Sequence, residues 1–91
     1  MKNNTSNQKT ENFIEKKLDW NVIQSKMQSK FGQAIFESWI KKIQFINEFN
    51  NYILISVSTR FIRDWITSRY LDQILQIIKL YNKNVNRIEF I

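Results

Sequence analysis

A chain of 91 residues has room for one hydrophobic core, because an independent core needs on the order of 50 residues, so two domains are excluded. With 43% hydrophobic and 14% aromatic residues it is too apolar for a disordered chain. No Cys, no His and a single Gly remove thiol and imidazole catalysis, Cys/His zinc sites, disulfides, Gly-rich phosphate loops and GxxG clamps.

The formal charge of +6 comes from 14 Lys and Arg against 8 Asp and Glu. It favours nucleic acid or an acidic protein surface as partner, although an Asn-, Ile- and Lys-rich composition with Ala34 as its one alanine also follows from AT-rich coding. No apolar run reaches the roughly 18 residues of a membrane span and the amino terminus lacks an apolar leader core, so the expectation is a cytoplasmic protein without a membrane partner.

Residues 1–17 carry four Lys, five side-chain amides and, after the initiator, only Phe13 and Ile14 as apolar residues. They are expected to form a disordered polar tail, and residues 18–91 the domain. Asp19 caps a helix on which Trp20, Ile23, Met27 and Phe31 share a face, with Leu18 placed to staple onto Ile23. Gly32 ends it where a left-handed residue is easily accommodated. A second helix follows with Ile35, Phe36, Trp39, Ile40 and Ile43 on one stripe and Lys41 and Lys42 in its last turn, and the two helices form a hairpin. From Phe45 the period falls to two, Asn50-Asn51 makes a turn, and Ile53, Ile55 and Val57 alternate with Tyr52, Leu54 and Ser56, which predicts a β-hairpin.

Ser58 or Thr59 caps a long helix over 60–81, with Ile62, Ile66, Tyr70, Ile74, Ile77, Ile78 and Tyr81 on its core face. Asn82 to Asn84 break it, and Ile88 and Phe90 stand at strand spacing in a final strand. The predicted order is α-α-β-β-α-β: a compact α+β domain with a three-stranded sheet packed against helices.

Trp20, the run FESWI at 36–40, the hairpin, and TRFIRDWITSRYL at 59–71 together resemble the N-terminal domain (domain I) family of DnaA, the bacterial chromosomal replication initiator. The resemblance covers about Leu18 to Ile91 and rests on Trp20, Phe36, Trp39, Ile40, Phe61, Asp64, Trp65, Tyr70 and Leu71. It implies a KH-like fold without an ATP site or other cofactor. It also implies an interaction module that forms weak homodimers, contacts the replicative helicase and initiator-regulating proteins, and binds single-stranded DNA weakly. Two positions depart from the family pattern: Ser58-Thr59 stands where Pro-Asn is usual, and Ile35 where an acidic residue is frequent. The chain reads either as a fragment of an initiator or as a free-standing copy of the module.

Phe61 points away from the core stripe and is the first candidate partner anchor, and the resemblance implies a partner-contacting aromatic there. The alternative is a ring that covers the hairpin edge. Trp65, also off the stripe and opposite Trp39, reads as core. Trp20 reads as core by periodicity and as a self-association contact by resemblance; both remain open. Thr59 and Ile35 fall at positions where the resemblance implies partner contact, with ordinary core packing as the alternative for Ile35.

Arg60, Arg63 and Arg69, with Lys41 and Lys42, form either a solvated basic face or a track for single-stranded nucleic acid, with Arg60 beside the stacking ring of Phe61. The competing function is accordingly that of a small KH-like nucleic-acid-binding protein. Asp19 reads as a cap, and Glu37, Asp72 and Glu89 as surface charge. No acid/base pair is visible, and the chain is not expected to be an enzyme.

Overall fold

The computed structural model describes residues 17–91. The expected tail therefore lies, except for Lys17, outside the described residues. Helix α1 runs Trp20–Phe31 and α2 Gln33–Ser38, followed by a 3-10 turn at Ile40–Lys42. Strands β1 (Gln44–Glu48) and β2 (Tyr52–Ser56) lead to α3 (Arg60–Arg69), α4 (Leu71–Tyr81) and β3 (Arg87–Phe90).

Asp19 caps α1 as its sequence position requires, its carboxylate accepting from the Asn21 N–H at 3.0 Å. Gly32 joins α1 to α2 at φ 88° and ψ 163°. This is positive φ with an extended ψ, a region essentially restricted to glycine, rather than the left-handed helical geometry expected. The second helix is shorter than its apolar stripe: Trp39 leaves helical geometry at φ −130°, and Ile40 and Ile43 reach the core from the 3-10 turn and its end.

The sheet has the order β1-β2-β3. β1 pairs antiparallel with β2, and β3 lies parallel to β2, so the return connection is the pair α3 and α4. Ile53, Ile55 and Ile88 face the helices and meet Ile23, Met27, Phe36, Ile40, Ile66, Ile74, Ile77, Ile78 and Val85 in one core.

Two departures from the predicted elements position the surfaces discussed below. The long helix over 60–81 is two helices, with Tyr70 between them at φ −128° and ψ −12°. The cause lies in helical geometry. Apolar residues four apart advance by about 40° per step, so a straight helix would carry Ile62, Ile66, Tyr70, Ile74 and Ile78 through about 160° and off the sheet. The break re-aims the second half, so that Ile66, Ile74 and Ile78 are all fully buried. The Tyr70 ring meets Phe31 edge-on at 5.3 Å between centroids. Tyr81, assigned to the core face by periodicity, is 43% exposed.

The second departure is a bulge in β1. Phe45 opposes Ile55 and Asn47 opposes Leu54, which leaves Ile46 as an extra residue, 44% exposed. An extra residue inverts the faces beyond it. Asn47 turns outward, Glu48 turns toward the helices opposite Ile53, and Phe49 stacks on Tyr52 at 4.7 Å. Simple alternation had placed Phe45, Asn47 and Phe49 on one face.

Glu48 gains a structural role through that inversion. One carboxylate oxygen accepts from the Leu18 N–H at 2.8 Å and the other from the Asn82 side-chain amide at 2.7 Å. The half-buried carboxylate thus ties the entry to α1, the end of β1 and the exit from α4.

Candidate functional site

The first turn of α3 is built to present Phe61. Thr59 is extended, and its hydroxyl oxygen accepts from the Ile62 N–H at 3.1 Å, so the helix starts at Arg60 with its N-terminus satisfied. Ile62 packs against the core, and the helical turn then sends Phe61 outward, leaving it 65% exposed. Its base is the half-buried pair Trp39 and Trp65, stacked at 4.7 Å with an interplanar angle of 15°. The Phe61 centroid is 6.0 Å from Trp39 and 6.1 Å from Trp65. Arg69, one turn further along α3, lays its guanidinium 3.9 Å above the Trp65 ring.

Three aromatic rings and a cation therefore form a continuous surface between α3 and the end of α2. Trp39 belongs to both, because its N–H donates to the Ile35 carbonyl at 3.0 Å, which sets Ile35 one turn back on α2. Ile35 is half-buried and packs on the core.

The sequence-derived candidates divide into separate groups. Phe61 is exposed as its helical position predicts, but it leans on Trp39 and Trp65 rather than covering the hairpin edge. Trp65, read as core, lies outside the buried cluster and belongs to the surface with Phe61; its predicted pairing with Trp39 is present. Thr59 acts as the cap of α3. Trp20 stacks on Phe45 at 5.1 Å and packs on the core while remaining half-buried. The indole N–H groups of Trp20 and Trp65 are both buried without an acceptor among the described residues.

Of the basic candidates, Arg60 and Arg63 line one open cavity together with Thr59 and Phe90. Lys41 pairs with Glu37 at 3.4 Å and Arg60 with Asp64 at 3.8 Å, both on exposed helix surface where such pairs contribute roughly 0 to 1 kcal/mol. Arg63 turns toward the sheet, 5.9 Å from the Phe90 ring, and Lys42 is exposed. Sequence reasoning assigned Arg69 to the basic face and the two tryptophans to the core rather than to this surface. Their signal was present in the spacing, since Trp65 and Arg69 are four apart, as are Phe61 and Trp65.

Among the described residues, no three His, Cys, Asp or Glu side chains are placed to hold a metal ion. No helix among them is long and apolar enough to cross a membrane.

Comparison with known proteins converges on one family. The model of the DnaA N-terminal domain matches residues 19–80. The chromosomal replication initiator protein DnaA of Wolbachia pipientis wMel is 35% identical over 72 residues, which is 79% of this chain and 16% of that protein. The corresponding protein of Rickettsia bellii (strain OSU 85-389) gives the same identity and coverage, and that of Rickettsia massiliae (strain Mtu5) is 33% identical over the same length. The chain thus spans about a sixth of these relatives. The matched segment includes α1 and its cap, the bulged hairpin, α3 with its aromatic surface and nearly all of α4, and by it the chain belongs to the DnaA N-terminal domain family.

Proposed function

We propose that this domain is a non-catalytic interaction module of chromosomal replication initiation, and that the surface of Phe61, Trp65 and Trp39 is its anchor for protein partners, the replicative helicase and initiator-regulating proteins among them. The observation that carries the reading is Phe61 itself: a ring 65% exposed, held in place by two stacked tryptophans. An aromatic anchor of this kind contributes to binding because little side-chain freedom is left to lose on contact. Arg69 over Trp65 adds a cation at the rim. Weak self-association is part of the same reading. Its contact would lie along α1, where Trp20 is half-buried and Val22 is exposed.

The test is Phe61→Ala. About a third of the ring is covered, so at 25 cal/mol per Å² and a ring of 150 to 250 Å² the truncation costs about 1.5 kcal/mol of stability, against 3 to 5 for a buried Phe. Binding of purified replicative helicase, measured by surface plasmon resonance, should weaken about 30-fold, the equivalent of an anchor worth roughly 2 kcal/mol. A folded variant that binds helicase and regulators undiminished refutes the anchor. A variant that loses only single-stranded DNA, with binding that falls steeply with salt, transfers Phe61 and Arg60 to the nucleic-acid reading.

A further inference from the structure

A second exposed surface lies away from the aromatic cluster, between the β1–β2 turn and the end of α4. It is an open groove of about 890 Å³. Phe49, Leu80 and Tyr81 line it and are 39%, 71% and 43% exposed. Lys17, Lys79 and Lys83 stand around them. None of these lysines pairs with a carboxylate among the described residues. Glu48, the one carboxylate among the described residues that lines the groove, has both oxygens occupied by Leu18 and Asn82. A groove lined by apolar side chains and three lysines calls for an occupant with bulky apolar residues flanked by acids.

The sequence contains such a segment immediately before Lys17: Glu11-Asn12-Phe13-Ile14-Glu15. Its two acids are the only ones in the first 17 residues, and Phe13 and Ile14 are the only apolar residues there after the initiator. Lys17 is itself part of the groove wall, so the chain arrives at the groove with the segment just upstream. Ile14 stands three positions before Lys17 and Glu11 six, spans of at most ~10 Å and ~20 Å.

We propose that this groove seats the chain's own Glu11–Glu15, with Phe13 and Ile14 against Phe49, Leu80 and Tyr81 and the two carboxylates facing Lys79 and Lys83. This departs from the sequence reading of residues 1–17 as a tail. That reading weighed the segment's own composition, and the groove is assembled from residues far along the chain by the β1 bulge and the end of α4.

The test uses the full chain and two paired variants, Phe13→Ser with Ile14→Ser and Lys79→Glu with Lys83→Glu, followed by thermal melting and by amide NMR signals. Each pair should lower the melting temperature by about 4 to 8 °C, and the first should shift the amide signals of Asn50, Leu80, Tyr81 and Asn82 while leaving Phe61 and Trp65 unmoved. Adding Glu11→Lys and Glu15→Lys to the lysine reversals should restore at least half of the lost melting temperature. A synthetic peptide of residues 8–17 should bind the Phe13→Ser, Ile14→Ser variant at least tenfold more tightly than the full chain, whose groove is already filled. The proposal is overturned by unchanged groove amides in the first variant, by equal peptide binding to both proteins, or by amide shifts that disappear on dilution, which would assign the groove to a second copy. Because Phe61 is not touched, failure here leaves the reading of the aromatic surface standing.

Discussion

Replacing Glu48 by Ala removes a single side chain that holds three segments. The carboxylate accepts from Leu18 N–H at 2.8 Å and from the Asn82 amide at 2.7 Å, and it lies half-buried on the helix face of β1. Hydrogen bonds to a charged group contribute roughly 1.5 to 3 kcal/mol each when solvent is excluded. Partial access of water to both donors reduces the sum, so the expected loss is about 2 to 4 kcal/mol. For a domain of this size that is on the order of 10 to 20 °C in melting temperature. Glu48→Gln keeps the shape but offers an NH₂ to one of two donors, and should lose at least half as much. Asn82→Ala removes one bond alone and should be partly masked in the double variant, with a coupling of about 1 kcal/mol in urea-unfolding cycles. A loss below about 0.5 kcal/mol in Glu48→Ala, or strictly additive Glu48 and Asn82 effects, would refute the idea that this carboxylate clamps the end of the hairpin.

At Gly32 an added methyl meets nothing within 4 Å, so Gly32→Ala should cost about 1 to 3 kcal/mol through backbone conformation alone; Gly32→Asn should give no rescue in thermal melting, because the required ψ is not left-handed helical. Trp20→Ala should lose about 2 to 4 kcal/mol, since the ring stacks on Phe45 and packs on the core; a variant of full stability that no longer dimerises in analytical ultracentrifugation would instead make the ring an exposed self-contact. Ile35→Glu should destabilise by about 1 to 2 kcal/mol in urea unfolding, because it removes half-buried apolar area at the core margin, and an unchanged midpoint would show that the position is free of the core.

The readable parts of this chain were those in which one residue type answers one local requirement. Asp19 before Trp20, Thr59 before Arg60 and Gly32 after Phe31 announced three element boundaries, and all three stand where expected. Phe61 was legible for a similar reason: with Ile62 and Ile66 committed to the core, helical geometry leaves it no inward direction. The β1 bulge and the break at Tyr70 were not legible, because neither carries a Gly or Pro. Both answer to tertiary fit, one to where Phe45 and Glu48 must point and the other to the drift of an apolar stripe over 20 residues. The role of Glu48 followed the bulge into obscurity, since no rule of alternation puts a carboxylate on the helix side of a strand. Trp65 was misassigned because its size argued for full burial, whereas two large rings that shield each other need less of the core than either would alone.

That mutual shielding also bears on why an exposed phenylalanine persists beside the core. A lone surface Phe rotates freely and gives up that freedom on binding; Phe61 rests against a tryptophan stack whose members come from two elements, Trp39 from the end of α2 and Trp65 from α3. A partner that covers Phe61 therefore reads the relative placement of α2 and α3, and any change that loosens α2 reaches the anchor through Trp39. Ile35 enters here: one turn from Trp39 and packed on the core, it fixes α2 by apolar contact. Ile35 brings no charge to the neighbourhood of the anchor, whereas Arg69 sets its guanidinium 3.9 Å over the Trp65 ring. A partner surface matched to this chain should accordingly meet Phe61 with an apolar pocket and Arg69 with an acid, and have no use for a basic residue opposite Ile35.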